Sequence, residues 1–570
     1  MPEPIALSTE LHILIDGTKI QDQVLTQVAE VIVDQHTHLP HMFVLRLYDP
    51  QLEFLDSGPF DLTKEIEIKA GDGQQQMSTL IKGEITALEP LFGEGMIAEL
   101  VVRGYDKSHR LYRETKSRAF LNKKDSDLAK ELGQEVGLSV EADTTSTVYD
   151  HIYQHNQSNM AFLVQRAWRI GFECFVDAGK LYFRKPNNSG SGGNLTWGND
   201  LLSFRPRMTL AEQVDEVIVK GWDVEKQEAI VGQAQDGSLY PSIKESKNGA
   251  SWAGSFGNGK LVIVDQPVVS QAEADTLAAA RLDERSGSFI EAEGVAFRRP
   301  DLKAGQVVEL KLLGERFSGK YLVTAVTHIY NPAGLRTRFT VRGSRTGMLT
   351  EQVNRKPPLT RWPGVVTAVV TNTDDPQNWG RVKVKFPWMA DDAESDWARL
   401  CAPGAGPEAG FYAIPDVGDE VLVVFEHGDF SRPFILGSMW NGQHAVPPTA
   451  ANAGSGERPL VRTWHSRTGH AITMHDDADN KVELVTAGGH TISVDDANAK
   501  IEIKSTNGLT ILIDDNASKT SITGSSEVEI KSDANMKIDA GANLDVKAGG
   551  NMNLQATGQM VIKGATVGIN

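Results

Sequence analysis

Residues 465–570 of this chain contain no aromatic side chain and no proline, the final ring being Trp464 and the final proline Pro459. The 570-residue chain as a whole is 7% aromatic, so a stretch of that length would ordinarily carry about seven rings. Aromatic side chains supply much of the buried area of a globular core. The tail must therefore be ordered by small aliphatic side chains and by backbone pairing.

The tail is also repetitive, and its repeats specify what kind of pairing. Asp476-Asp477, Asp495-Asp496 and Asp514-Asp515 recur at a spacing of 19, each after an alternating run: AITMH, TISV and TILI. From residue 535 the period tightens to eight. Asn535, Asn543, Asn551 and Gln559 open successive octads with apolar residues two apart: Met536 and Ile538, Leu544 and Val546, Met552 and Leu554, Met560 and Ile562. Small residues close the octads, as in Ala540-Gly541-Ala542 and Ala548-Gly549-Gly550. Side chains two apart share one face of a strand, and Gly or Asn corners permit the turn between strands. One short strand cannot bury that face alone, so neighbours come from a wider solenoid in one chain or from identical partner chains. Two inward side chains per turn make a thin column, which favours intertwined identical chains. No ring fits such an axis, and a proline would remove a ladder donor.

The rest of the chain reads differently. Its length suggests three or four domains, and with 40% hydrophobic and 23% charged residues most of it is globular. A formal charge of −18 argues against a nucleic-acid partner or an anionic-membrane surface, both of which need a concentrated positive field. Cys174 and Cys401 form neither a disulfide framework nor a thiolate metal knuckle and read as two core thiols in a reducing compartment. The start, MPEPIALSTELHILIDGTKI, lacks a basic n-region, and no segment approaches 18 uninterrupted apolar residues. Cytoplasmic synthesis without a cleaved signal or a membrane span is the expectation.

Residues 1–350 predict mixed β structure, with strands over Met42–Tyr48, Ala98–Arg103, Val214–Lys220 and Val307–Leu313. Helical windows cover Ser126–Glu135, Asn159–Ile170 and Gln271–Arg285. A proline-marked linker at 351–363 leads into a block at 360–445. There Gly364–Val370, Gly380–Phe386 and Asp419–Phe425 read as strands of a small closed barrel. A second linker, 444–459, precedes the tail.

Candidate chemistry is sparse. The paired aspartates have the residue types of glycosidase carboxylates or calcium ligands, but at repeat corners Asp-Asp followed by Ala or Asn is ordinary turn chemistry. Gly254–Lys260 (GSFGNGK) fits a phosphate loop in spacing only, because Leu261 follows the lysine and the next residues read as a strand, so a surface turn is expected. His36, His38 and His41 flank a proline beside a strand and read as exposed strand-end histidines. No nucleophile elbow, zinc-binding helix or dinucleotide fingerprint is present. The expectation is a non-enzymatic protein without metal or cofactor.

The block 360–445 strongly resembles the oligonucleotide/oligosaccharide-binding-like (OB-like) barrel of the VgrG and phage baseplate spike family. The matching pieces are Asp375-Pro376, Gly380-Arg381-Val382-Lys383-Val384, Phe386-Pro387-Trp388, Ser395-Asp396-Trp397, Pro415, Val417-Gly418-Asp419-Glu420-Val421, Gly428-Asp429, Arg432-Pro433 and Asn441-Gly442. Upstream, Gly104-Tyr105-Asp106, the stretch 157–183 and Gly319–Thr327 look like the family's tail-hub domain, and the octads resemble its needle. The resemblance implies a mainly β fold: β-barrel hub domains with inserted helices over 1–350, an OB-like barrel over 360–445, a linker at 446–462, and an intertwined triple-stranded β-helix needle over 463–570. It further implies a homotrimer that mates with inner tube and baseplate proteins of a contractile injection system and punctures a target envelope when the sheath contracts.

Departures from the family pattern sharpen the expectation. Only about twenty residues, Asn441–Pro459, separate barrel from needle, too few for the lysozyme that some phage spikes insert there. The chain stops at Asn570, one octad after Met560, and has no histidine after His490. By resemblance this points to a separate PAAR-type tip protein and to any cargo being non-covalent, while the compact hub without further insertions looks more like an extracellular or phage-tail-like particle, released or anchored, than like type VI secretion. Three other readings compete: a type VI VgrG carrying non-covalent effectors, a carbohydrate-active β-helix protein resting on the Asp pairs, and a nucleic-acid-binding barrel. The last lacks a clear aromatic-plus-basic strand face in the sequence.

Overall fold

The computed structural model describes residues 9–71, 76–186, 191–223, 225–235, 237, 241–245, 247–268, 270–343, 362–390, 393–450 and 458–569. Most of the expected linker 351–363, the middle of the 444–459 linker, and Asn570 lie outside them. The fold is mainly β, and the chain divides into two compact units, Met1–Asn441 and Gly442–Asn570.

The first unit is built on an eleven-stranded sheet. Strand alternation places Leu11, Ile13, Ile15, Val31, Val33, Phe43, Leu45, Leu47, Ile66 and Ile68 in one apolar cluster, as a period of two requires. Val28–His36 pairs antiparallel with Ala325–Asn331, so the two ends of the hub region are neighbours in one sheet. Thr327 Oγ1 donates to Asp34 Oδ1 at 2.5 Å across that join. Between these ends the chain inserts two helices, Asp125–Glu135 and Asn159–Arg169, which bury Leu128, Leu132, Met160 and Leu163 against Phe183. A third helix, Gln271–Gly287, packs on a separate small sheet through Leu277, Ala278 and Leu282. Ser158 and Ser270 cap their helices, each hydroxyl accepting a backbone N–H from the first turn at 3.3 and 3.2 Å.

Several boundaries differ from the sequence reading for local reasons. The helix read from Ser126 begins at Asp125, because the Ser126 hydroxyl is buried and accepts from the Thr145 amide instead of capping. The strand read over Val307–Leu313 stops at Lys311, where Leu312 turns to φ +62°. The strand read from Val214 starts at Glu216, Asp215 being engaged by the Gly259 amide at 2.8 Å. Residues 254–260 form a short turn leading into a strand, with Lys260 paired to Glu216 at 2.6 Å. His38 and His41 are buried rather than exposed: His41 donates its amide to Asp106 at 2.7 Å and its ring lies over Phe175. Cys174 is a core thiol, whereas Cys401 is exposed beside a barrel edge strand. Among the described residues no helix is long and apolar enough to cross a membrane.

Residues 362–441 carry a five-stranded sheet in the order Lys383–Lys385, Val365–Asn372, Glu420–Phe425, Pro433–Met439, Arg399–Leu400. Its two edges meet through Val382 and Ala398, which exchange backbone hydrogen bonds at 3.0 and 2.8 Å, so the ladder closes into a barrel. The strand read over Gly380–Phe386 contracts to Lys383–Lys385 because Gly380 sits at φ +70° and Val382 belongs to the closing bridge.

The second unit contains two architectures where the sequence reading placed one needle. Val461–Thr523 is a seven-stranded antiparallel meander, since a period of 19 accommodates two five-residue strands and two turns. On one edge Ser466, Thr486 and Ser505 make the same turn, each hydroxyl accepting the amide four residues on at 3.0–3.1 Å. Gly469, Gly489 and Gly508 follow at φ +82° to +101°. On the other edge the Asp-Asp turns end at Asn480, Ala499 and Ser518, also at positive φ. Asp495 and Asp514 cap these turns by accepting from Asn498 and Ala517 at 2.8 and 2.9 Å. Beyond Thr523 the described residues form no strand ladder within the chain.

Replacing Gly508 by Val forces a β-branched side chain into a left-handed conformation and should cost about 1–2 kcal/mol. Thermal denaturation followed by proteolysis should show the repeat unit melting earlier with the hub unchanged; an unaltered repeat transition would contradict the turn assignment.

Candidate functional site

Three constellations carry what this chain can do. The first is the seam where the hub insert meets the barrel. Strand Tyr149–Ser158 turns alternate side chains, His151, Tyr153 and His155, towards the barrel. Tyr153 joins the barrel's own apolar core, its ring 4.9 Å from Phe430. His155 stacks on Phe430 at 4.7 Å and meets Trp362 edge-on at 5.0 Å. His151 Nε2 lies 2.8 Å from the Glu394 carbonyl. Phe386 and Phe425 complete the aromatic box around Phe430, at 4.7 and 4.3 Å. Beside the seam a cavity of about 330 Å³ is lined by Arg166, Arg169, Trp397 and Asp429 among others. Its arginines are held by buried carboxylates, Arg166 by Asp125 at 2.5 Å and Arg169 by Glu273 at 2.8 Å.

The second constellation is the barrel motif. Asp375 is nearly buried and accepts from the backbone of Gln377, Trp379 and Arg381 and from the Arg381 guanidinium, whose Nη2 is 2.6 Å away. The Arg381 hydrogen bond, reinforced by those amides, holds the Asp375 carboxyl well below the usual carboxylate range. Arg381 lies between Trp379 and Trp397, 4.9 and 5.7 Å from their centroids, and Lys383 covers Trp397 at 5.3 Å. Trp379, Arg381 and Trp397 lie outside the barrel strands, and the central cation of this stack is tied down by Asp375. Phe386 is fully buried, Pro387 leads the chain into a turn, and half-exposed Trp388 donates Nε1–H to the Thr367 carbonyl at 2.9 Å. Gly418 takes φ +94° so that Asp419 can accept from the Asp416 amide at 2.9 Å. Asn441 donates to Glu420 at 2.6 Å, and Gly442 begins the second unit.

The third constellation is apolar. On one face of the meander two columns run across the strands. Trp464, Ile472, Leu484, Ile492, Ile503, Ile511 and Ile522 form one; Met474, Val482, Val494, Ile501 and Ile513 form the other. Each of the twelve is 38–58% exposed. The octad residues Met536, Ile538, Leu544, Val546, Met552, Leu554, Met560 and Ile562 are likewise 47–72% exposed. An edge column of opposite charges, Lys481, Asp495, Lys500, Asp514 and Lys519, sets the meander register.

One group of metal-type ligands occurs among the described residues, His475, Asp477 and Asp479, with ligand atoms within 4.8 Å of one another. It sits at the one Asp-Asp turn with an extra residue, where Asp477 caps the loop by accepting from the Asp479 amide. The sequence reading missed this group and the seam. The seam's signal was the alternation of His and Tyr in YDHIYQHNQS, which lacks the aliphatic character that marks a buried strand.

Residues 6–331 match the family described as the Alg8 N-terminal domain. Residues 366–440 match the type VI secretion system/phage-baseplate injector OB domain. The type VI secretion system spike protein VgrG5 of Pseudomonas aeruginosa is 41% identical over 98 residues, 16% of this chain and 12% of that protein. VgrG1c of the same organism is 28% identical over 151 residues, 23% of this chain and 21% of that protein. The matched stretches therefore span only about an eighth to a fifth of these relatives. Among solved structures, the lidded Francisella PdpA-VgrG complex aligns with TM-score 0.52 at 10% identity, covering 86% of this chain and 79% of that one. The lidless form gives 0.51 at 10% identity, covering 88% and 100%. These two share the fold.

Asp375→Asn should weaken the barrel by about 1–3 kcal/mol at pH 7, because it removes the charge from a hydrogen-bonded cluster. A carboxylate held below its unfolded range stabilises the protein above the unfolded value of about 3.9 and loses that effect as pH falls towards the folded one. The gap between variant and parent in denaturant melts should narrow below about pH 4; a gap independent of pH would contradict the role of the charge.

Proposed function

The chain belongs to the Alg8 N-terminal domain family through residues 6–331 and to the VgrG and phage baseplate spike family, and from that premise we propose that it is a non-enzymatic, homotrimeric spike and hub. It caps the inner tube of a contractile injection system, is assembled in the cytoplasm with baseplate proteins, and crosses a target envelope when the sheath contracts. A PAAR-type tip protein closes its point, and cargo rides non-covalently. An extracellular or phage-tail-like particle is favoured; type VI secretion is the second reading, supported by the VgrG relatives.

The observation that carries this reading is the apolar face of the second unit. Twelve half-exposed side chains in two columns, followed by octads without a ladder of their own, are untenable for an isolated chain in water. Completing the burial of the twelve is worth on the order of 10 kcal/mol per chain. Identical neighbours fit best. Each supplies the same columns at the same levels, and a closed assembly of three short strands per level leaves no edge open. Small residues at the octad corners and the absence of rings allow close approach at an axis. A rod whose backbone groups are all paired is stiff without a large core, and stiffness is what penetration requires.

Sedimentation equilibrium of the full chain should return three times the 62.2 kDa protomer mass. Met552→Asp places one charge per chain at a single level of the packed axis and should lower resistance of the tail to denaturant and protease while the hub stays folded. A monomer with an intact tail would end this reading.

A further inference from the structure

The hub strand Tyr149–Ser158 turns His151, Tyr153 and His155 towards the barrel, and the neighbouring hub strand adds Ala119 to the same core. His151 and His155 flank Tyr153, itself part of the barrel core. Both imidazoles have a buried Nδ1 with no hydrogen-bond partner among the described residues. His155, part-buried, is pressed flat against Phe430 and edge-on against Trp362, an apolar setting for its ring. His151 is buried and bonded through Nε2 to a backbone carbonyl. A neutral imidazole fits both places. An imidazolium would put charge into an aromatic box, where an unpaired ion is strongly disfavoured.

We propose that this seam is an acid-sensitive latch: protonation of His151 and His155 loosens the hold of the hub insert on the barrel. The surrounding charges divide clearly. At His151 burial opposes a proton most strongly, with Lys383 acting in the same direction, against the Glu394 carbonyl, Asp396 and Asp429 on the barrel side, which attract one; the net direction is down from the ordinary histidine range. At His155 burial alone acts, in the same direction. Across the cavity Arg399 and Arg432 on the barrel and Arg166 and Arg169 on the hub helix add positive charge, offset by Glu426, Asp125 and Glu273; Asp150 lies at the cavity edge.

The sign follows from linkage. A histidine held neutral when folded but free to protonate when open has an opening equilibrium that is constant above the open-state value of about 6.5. Below that value opening rises by up to about tenfold per pH unit for each imidazole, until the folded-state value is reached.

The test uses the full-length protein. Amide hydrogen exchange, corrected for intrinsic rates, is followed in Tyr149–Ser158 and in the barrel strand Val365–Asn372 from pH 8 to pH 5. The latch predicts constant protection above about pH 6.5 and falling protection below it, with His151→Gln/His155→Phe flattening the dependence. Equal dependence in variant and parent, or none in the parent, overturns the proposal. Should the variant fail to fold, imidazole C2–H exchange on the unmodified protein decides: both histidines must titrate below the ordinary range, and either one titrating at or above it overturns the proposal.

Discussion

The second unit depends on one constraint: among the described residues its apolar side chains stay half-exposed and its octads form no ladder within the chain. In the meander the backbone is satisfied by in-chain ladders, and only the side-chain face is left over. In the octads both are left over. The change from a period of 19 to a period of eight is therefore a change in where partners come from. Two strands and two turns can fold back on themselves; one strand and one corner cannot.

The first unit solves the opposite problem. Its eleven-stranded sheet brings Val28–His36 beside Ala325–Asn331, and the segments that leave that sheet in between supply the helices and the seam strand. The barrel has few strand residues of its own. It relies on an aromatic box completed by Tyr153 from the hub and on Asp375, whose hydrogen bonds fix the loop that aims Arg381 between two tryptophans. Hub and barrel thus share a core across the seam. That shared core makes the chemistry of two histidines consequential for the barrel.

Much of this architecture was legible in the sequence. Met42–Tyr48 is a strand with the bounds its alternation marks, the helix at Asn159 starts where read, and the Asp-Asp corners are turns with the capping their residue types imply. What escaped depended on distant partners. Ser126 looks like a cap until Thr145 engages its hydroxyl, and His38 and His41 look exposed until the fold buries them. The strand YDHIYQHNQS hides its burial because imidazole rings fill an aromatic box as well as aliphatic groups would, and no local pattern reveals the box. The Trp379–Arg381–Trp397 stack escaped for the same reason: its members come together only when the barrel edges close at Val382 and Ala398.

The central claim is that the octads are paired between chains. Amide hydrogen exchange across residues 535–563 of the assembled protein measures that pairing directly. Completed ladders predict protection comparable to that of the hub sheet, rising and falling with the eight-residue period. Exchange at the rate of an unpaired chain, with the hub protected, would contradict it.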